Sequence, residues 1–299
     1  MKKIFKVTLA LVLILLLWYL FLKPQDYQVS FKAKANAGTI FETVKAWNIS
    51  LNSEVPIEYN SLTDFKQQLV HNDSVYSYHW EIDPLHDSLS QIKVNIKDLD
   101  HSLMNKIMVP FSDTNFEKGS RKALLDFSQF LNEHLKKIKI TVVGEDELFT
   151  TFCACVSLKT TTSKKAGGIM ENYSFLNSML FENEVQLNGP PFLEVLDWNL
   201  EKDSLSYNFC YPIIRSEKLP RHPDIKYKRI FSKRALKAIY NGNYITSDRA
   251  WFSLLDYAKK NNIEVEPKPI EVFYNNPNMG GDELQWKTEV FMPLKETHE

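Results

Sequence analysis

The sequence predicts an α+β protein in three parts. These are an N-terminal transmembrane helix over residues 1–24, an antiparallel sheet closed by a long helix over 25–140, and a strand-helix-strand-strand unit over 141–299, used twice about a pseudo-two-fold axis. Three observations lead there. Residues Val7 to Leu22 carry no charge. Runs of period-two alternation then follow one another with only turn residues between them, ahead of a helical apolar stripe. Beyond that stripe the chain resembles itself at a constant offset of 78 residues.

The first segment, MKKIFKVTLALVLILLLWYLFLKP, sets Lys2, Lys3 and Lys6 before the uncharged run and the aromatic pair Trp18–Tyr19 near its far end. Ile4 and Phe5 extend the run to a bilayer-spanning length if Lys6 snorkels, so residues 4–22 are the expected span. A cleavable signal peptide needs small residues at its cut site. WYLFLKPQ has none, which makes an uncleaved single-pass anchor the expectation. Lys23, Lys32 and Lys34 nearly balance the N-terminal lysines, and the short N-terminal tail places the later domains outside the cytoplasm.

Val29, Phe31 and Ala33 alternate with polar residues as in a strand, after which Ile40, Phe41, Val44 and Trp47 recur at helical spacing. Four strand-like runs follow: FKQQLVHN, SVYSYHWEID, SQIKVNIKDL and SLMNKIMVPF. Leu124, Phe127, Leu131 and Leu135 mark the stripe of a long closing helix. Such an order requires the sheet to curl around that helix. VSFKAKANAGTIFETVKAW resembles the strand, short helix and tryptophan of the SRPBCC, or START-like helix-grip, family. The resemblance implies an apolar cavity between sheet and helix, whereas the residues themselves favour a filled core.

In the last part, MENYSFLNSMLFENEVQLNGPPFLEVL set beside DRAWFSLLDYAKKNNIEVEPKPIEVFY pairs Tyr173 with Trp251, Leu176 with Leu254, Val185 with Ile263 and Pro191 with Pro269. YNFCYPI and TEVFMPL pair likewise, with Pro212 opposite Pro293. One helix covers one sheet face in each copy, and the uncovered faces form a shared concave surface. ELQWKTEVFMPL puts Phe291 on the same side as Lys287 and Glu289, so that side reads as the wall of a ligand groove.

Here the residues resemble the GyrI-like effector-binding family. The matching pieces are NGNY at 241–244, the helix aromatic at Trp251, the hairpin EVFYNNP at 271–277 and the strand TEVFMPL. The resemblance implies a site for hydrophobic, often cationic, small molecules in which a glutamate meets positive charge. Carried over, it assigns ligand contact to Glu289, Tyr244 and Trp251. Groove geometry adds Asn208, Tyr240, Phe291 and Tyr274. Lys287 stands two residues before Glu289 on the same face, and if it neutralises the acid, a neutral or zwitterionic ligand fits better. The plainer readings are a surface ion pair for Glu289 and ordinary packing for Tyr240, Tyr244 and Trp251.

A net charge of −1 supplies no field to recruit nucleic acid, and no helix-turn-helix is recognisable. Cys153, Cys155 and Cys210 are too few for a disulfide framework, and Cys153 and Cys155, two apart on a strand, read as buried small side chains. His71, His79, His86, His101, His134, His222 and His298 lack ligand spacing, so neither a metal nor another cofactor is expected. The expected function is a membrane-anchored binding protein for a small hydrophobic or cationic molecule. The alternative is a hydrolase of reactive electrophiles with Glu289 as general base, the activity thought to occur in some GyrI-like proteins.

Overall fold

The computed structural model describes residues 2–71, 74–86 and 89–296; His298 lies outside them. The chain forms two compact units, Met1–Asn132 and Glu133–Glu299, each with its own antiparallel sheet.

The first unit opens with α1 (Lys2–Leu17), which widens into a π-turn over Trp18–Leu22. Residues Lys3–Leu22 form one helix apolar enough to cross a membrane, and none of it is buried within the protein. After it come β1 (Tyr27–Ala33), α2 (Ala37–Ser50), β2 (Glu58–Ser61), β3 (Asp64–His71), β4 (Ser74–His86), β5 (Leu89–Asp98), α3 (Ser102–Met108) and α4 (Asn115–Lys136). Asn36 starts α2 by accepting a hydrogen bond from the Thr39 backbone N–H at 2.8 Å, as an N-cap does. The strand order is β1-β5-β4-β3-β2. Its inner face carries Phe65, Tyr78, Trp80 and Val94, all fully buried. Phe127 of α4 meets Trp80 edge-on at 4.8 Å and Trp47 of α2 at a tilt at 5.4 Å, so aromatic rings fill the space beneath the helix.

One element corrects the sequence reading. SLMNKIMVPF is not a strand; its first seven residues are α3. Its outward residues are apolar and its buried residues are Asn105 and Lys106, so the alternation that reads as a strand is misleading there.

The second unit contains β6 (Lys139–Glu147), β7 (Thr151–Thr160), α5 (Lys165–Glu182), β8 (Phe192–Asn199), β9 (Ser204–Pro212), β10 (Ile225–Ile230), β11 (Arg234–Asn241), α6 (Arg249–Lys260), β12 (Ile270–Phe273) and β13 (Lys287–Pro293). Their order in the sheet is β10-β7-β9-β8-β12-β13-β11-β6. The central strands β8 and β12 are joined by Val195 N–H to Pro269 C=O at 2.9 Å and by Phe273 N–H to Pro191 C=O at 3.0 Å. Helices α5 and α6 pack Leu176, Leu180, Trp251 and Leu254 onto one face, against Leu193, Tyr207, Phe209 and Val290.

The other face has to be concave. β6 and β7 stand six places apart, about 29 Å in a flat sheet at ~4.8 Å per strand. Only residues 148–150 join them, a link reaching at most about 14 Å. Residues 231–233 join β10 to β11 over the same number of places. The sheet therefore curls, and Leu148 and Phe149 pack into its hollow against Phe192 and Phe291.

In that hollow Cys155 and Cys210, directly opposed on β7 and β9, form a disulfide. Cys155 is therefore a bonded half-cystine and not the simple buried side chain its local spacing suggests. The pairing depends on strand register between positions 55 residues apart, which local spacing does not reveal. Cys153 stays a free, buried thiol, and burial pushes its pKa up to about 12. The three sulfur atoms lie within 4.8 Å of one another.

Candidate functional site

On the helix-bearing face of the second unit lies a cavity of about 330 Å³. Ala166, Gly167 and Met170 from the first turns of α5 form one wall, Phe209 and Phe273 the sheet side, and Tyr244 the opposite wall. The lining is mostly apolar, with the amides of Asn243, Asn275 and Asn276 at its edge. A Cβ at Gly167 would meet nothing within 4 Å, so a side chain can be added at this lining position. Tyr244 is held firmly. Its hydroxyl donates to the Asn275 carbonyl and accepts from the Asn275 N–H, each at 3.0 Å, and its ring tilts against Phe273 at 4.9 Å. Burial pushes its phenol up to about 12, so it remains a neutral hydrogen-bonding group.

Beside the cavity is a fully buried ion pair. Lys165 Nζ donates to both carboxylate oxygens of Glu271, at 2.8 and 3.0 Å, and to Ser247 Oγ at 2.7 Å. Ser247 Oγ lies 3.0 Å from the Glu271 carboxylate and 2.9 Å from the Tyr244 carbonyl. The Lys165 ammonium also sits over the Trp251 ring, 4.7 Å from its centroid. Burial raises the Glu271 carboxyl above the usual range, and the Lys165 charge opposes that rise. The pair adjoins the cavity through the chain: Lys165 precedes Ala166, and Ser247 bonds Tyr244.

The concave face is polar outside its small core. Glu289, 14% exposed, is bonded by Lys287 at 2.7 Å, Lys237 at 3.4 Å and the Tyr274 hydroxyl at 3.0 Å. Burial alone would raise its pKa, but the hydrogen bonds from Lys287 and Tyr274 and the two lysine charges outweigh that and hold it below the usual carboxylate range. Two strands away, on β8, Glu194 is bonded through both oxygens by Lys228 of β10, at 2.7 and 2.6 Å. Asn208 donates to Glu194 and accepts from Ser157, each at 2.8 Å.

Residues 154–295 match the family model described as the GyrI-like small molecule binding domain. The C-terminal part of this chain is a GyrI-like domain. Solved structures of similar fold include the C-terminal domain of EcmrR, at 14% identity, covering 54% of this chain and 99% of that one with a TM-score of 0.46. SAV2435 bound to tetraphenylphosphonium is 11% identical over 52% of this chain and 94% of that one, with a TM-score of 0.38. A hydrolase from Listeria innocua is 13% identical over 56% and 98%, with a TM-score of 0.32. No curated protein matches the chain.

The GyrI-like domain distributes the seven sequence-derived site residues over both faces of its sheet. Tyr244 lines the cavity. Trp251 is fully buried beneath Lys165, and Tyr240, also fully buried, bonds Asn243 C=O at 2.9 Å and Thr246 Oγ1 at 2.7 Å, supporting the segment that presents Tyr244. Glu289, Tyr274, Phe291 and Asn208 belong to the concave face. Glu289 and Tyr274 touch there, Lys237 lies 5.1 Å over the Phe291 ring, and Phe291 itself is packed against Phe149. Sequence reasoning missed Lys165, Ser247 and Glu271. A signal was present: at the 78-residue offset Glu271 stands opposite Leu193, an acid replacing an apolar residue at a buried strand position.

Proposed function

We propose that this protein binds an apolar, uncharged small molecule in the cavity beside Tyr244, and that residues 4–22 anchor it in a membrane. The observation that carries the ligand class is charge balance. A buried carboxylate selects a cationic ligand only where nothing inside the protein already compensates it. Glu271 has Lys165, and Glu289 has Lys287 and Lys237. The apolar lining then sets affinity, and Tyr244 with the rim amides sets orientation. Hydrolysis with Glu289 as general base fits less well, because a carboxylate held below its usual pKa by two lysines is a weak proton acceptor.

We also read the GyrI-like domain as one unit used twice. Supporting this are the matched bonds Asn188 N–H to Pro212 C=O and Glu266 N–H to Pro293 C=O, together with the mirrored strand order about β8 and β12. The first unit fits a helix-grip arrangement, with Phe127 of α4 against the sheet. The disulfide accords with soluble domains outside the cytoplasm.

Triphenylphosphine oxide and tetraphenylphosphonium, similar in apolar shape but differing in charge, test the ligand class by calorimetry on the purified chain. The neutral compound is expected to bind at least as tightly as the cation, and Gly167→Leu, which adds bulk at a lining position, to weaken both. Cation binding tenfold or more tighter than the neutral compound, or affinity untouched by Gly167→Leu, overturns the assignment.

A further inference from the structure

The first unit contains a short helix built inside out. In α3 the side chains turned inward are Asn105, bonded to Asp98 at 3.0 Å, and Lys106, which is 4% exposed. Those turned outward are Leu103, Met104, Ile107 and Met108, each more than two-fifths exposed, and Phe111 just beyond is 87% exposed. A surface helix in water places its apolar residues toward the core, so this pattern belongs to a helix whose outer surroundings are themselves apolar. Between Leu103 and Phe111 the one charged side chain is Lys106, and it faces the protein.

The position of α3 identifies those surroundings. Lys106 Nζ donates to the carbonyls of Leu20 at 3.2 Å and Lys23 at 2.5 Å, capping the end of the N-terminal apolar helix. The Tyr19 hydroxyl returns a bond to the Lys106 carbonyl at 3.1 Å. The outward face of α3 is therefore fixed at the level of the Trp18–Tyr19 pair, and aromatic pairs of this kind mark the boundary between headgroups and acyl chains.

We infer that α3 and Phe111 form a second membrane contact, lying in the bilayer interface beside the exit of the anchor and seating the first unit against the lipid surface. This rests on residues 4–22 crossing the bilayer. Helices of this kind sink their apolar face into the headgroup–acyl boundary without spanning it. The two-way bonding between Lys106 and the anchor's last turn makes span and interfacial helix one rigid element, fixing the orientation of the first unit relative to the membrane plane.

The test uses the full chain in phosphatidylcholine vesicles, in a Trp18→Phe background. Phe111→Trp reports on the proposed contact. Leu85→Trp, toward the far end of β4 from α3, is the control. Flotation after alkaline carbonate treatment reads insertion of the anchor independently. With the chain inserted, brominated lipids are expected to cut the emission added by Phe111→Trp about twofold, as for a side chain at the acyl boundary, and to leave that added by Leu85→Trp unchanged. Flotation with no quenching of the Phe111→Trp signal overturns the contact while the anchor stands. A blue-shifted but unquenched signal also overturns it, since a protein surface then covers α3. Failure to float overturns the anchor, and this inference with it.

Discussion

Replacing Glu271 by leucine, the residue found opposite it at the 78-residue offset, strands the Lys165 ammonium in the interior. Removing one partner of a buried ion pair costs about 3–5 kcal/mol, because the remaining charge keeps its desolvation penalty and loses its compensation. Here Lys165 loses two hydrogen bonds but keeps Ser247 and the Trp251 ring, which places the expected loss near the lower end, about 3 kcal/mol. Removing both charges together, as Lys165→Met with Glu271→Leu, returns the site to apolar packing and should fall within about 1 kcal/mol of the parent. Urea unfolding followed by circular dichroism on all four proteins of the cycle gives the coupling, provided the denaturant slope stays constant. A Glu271→Leu loss under about 1 kcal/mol, or a double variant as unstable as the sum of the singles, would refute the reasoning that this pair is dry and mutually dependent.

Three further outcomes follow from the structure. Burial, with the Arg249 charge beside it, pushes the His134 imidazole down from 6.5 to about 4. The unfolded chain then binds the proton more readily. Stability should be complete above pH 6.5 and fall by up to about 3 kcal/mol as pH drops toward 4, a slope that His134→Gln should remove in pH-stepped urea titrations. Cys210→Ser opens a link spanning 55 residues and should lower stability by about 2–4 kcal/mol; three free thiols in the denatured, unreduced chain would contradict this. Gly242 has φ +148°, and a Cβ there would stand 2.6 Å from the Tyr240 hydroxyl and 3.0 Å from the Lys137 carbonyl, so Gly242→Ala should cost on the order of 2 kcal/mol in the same assay.

The sequence exposed what is local and periodic. The uncharged run became an apolar helix, the alternation around Tyr78 and Trp80 became adjacent strands, and the stripe through Phe127 became α4. The parity of TEVFMPL was also legible: Val290 and Met292 face the helices, while Glu289 and Phe291 face away. What stayed hidden depends on partners distant along the chain. Lys165 and Glu271 are 106 residues apart, and the closing of the hollow over Phe291 depends on Phe149, which arrives from a link between strands six places apart. The strand expected at SLMNKIMVPF failed for another reason. Its apolar side chains are turned away from the protein, so their spacing carries no information about an internal core.

The two short links that bend the large sheet also restrict how it can respond to a bound molecule. Residues 148–150 and 231–233 bind each other through Leu148 N–H to Lys233 C=O at 2.8 Å and Ser232 N–H to Thr150 Oγ1 at 2.9 Å. Those bonds cross-link the sheet at one rim. A guest pressing on Phe273 would therefore act on a sheet whose curl is pinned from both edges by the same pair of crossing links.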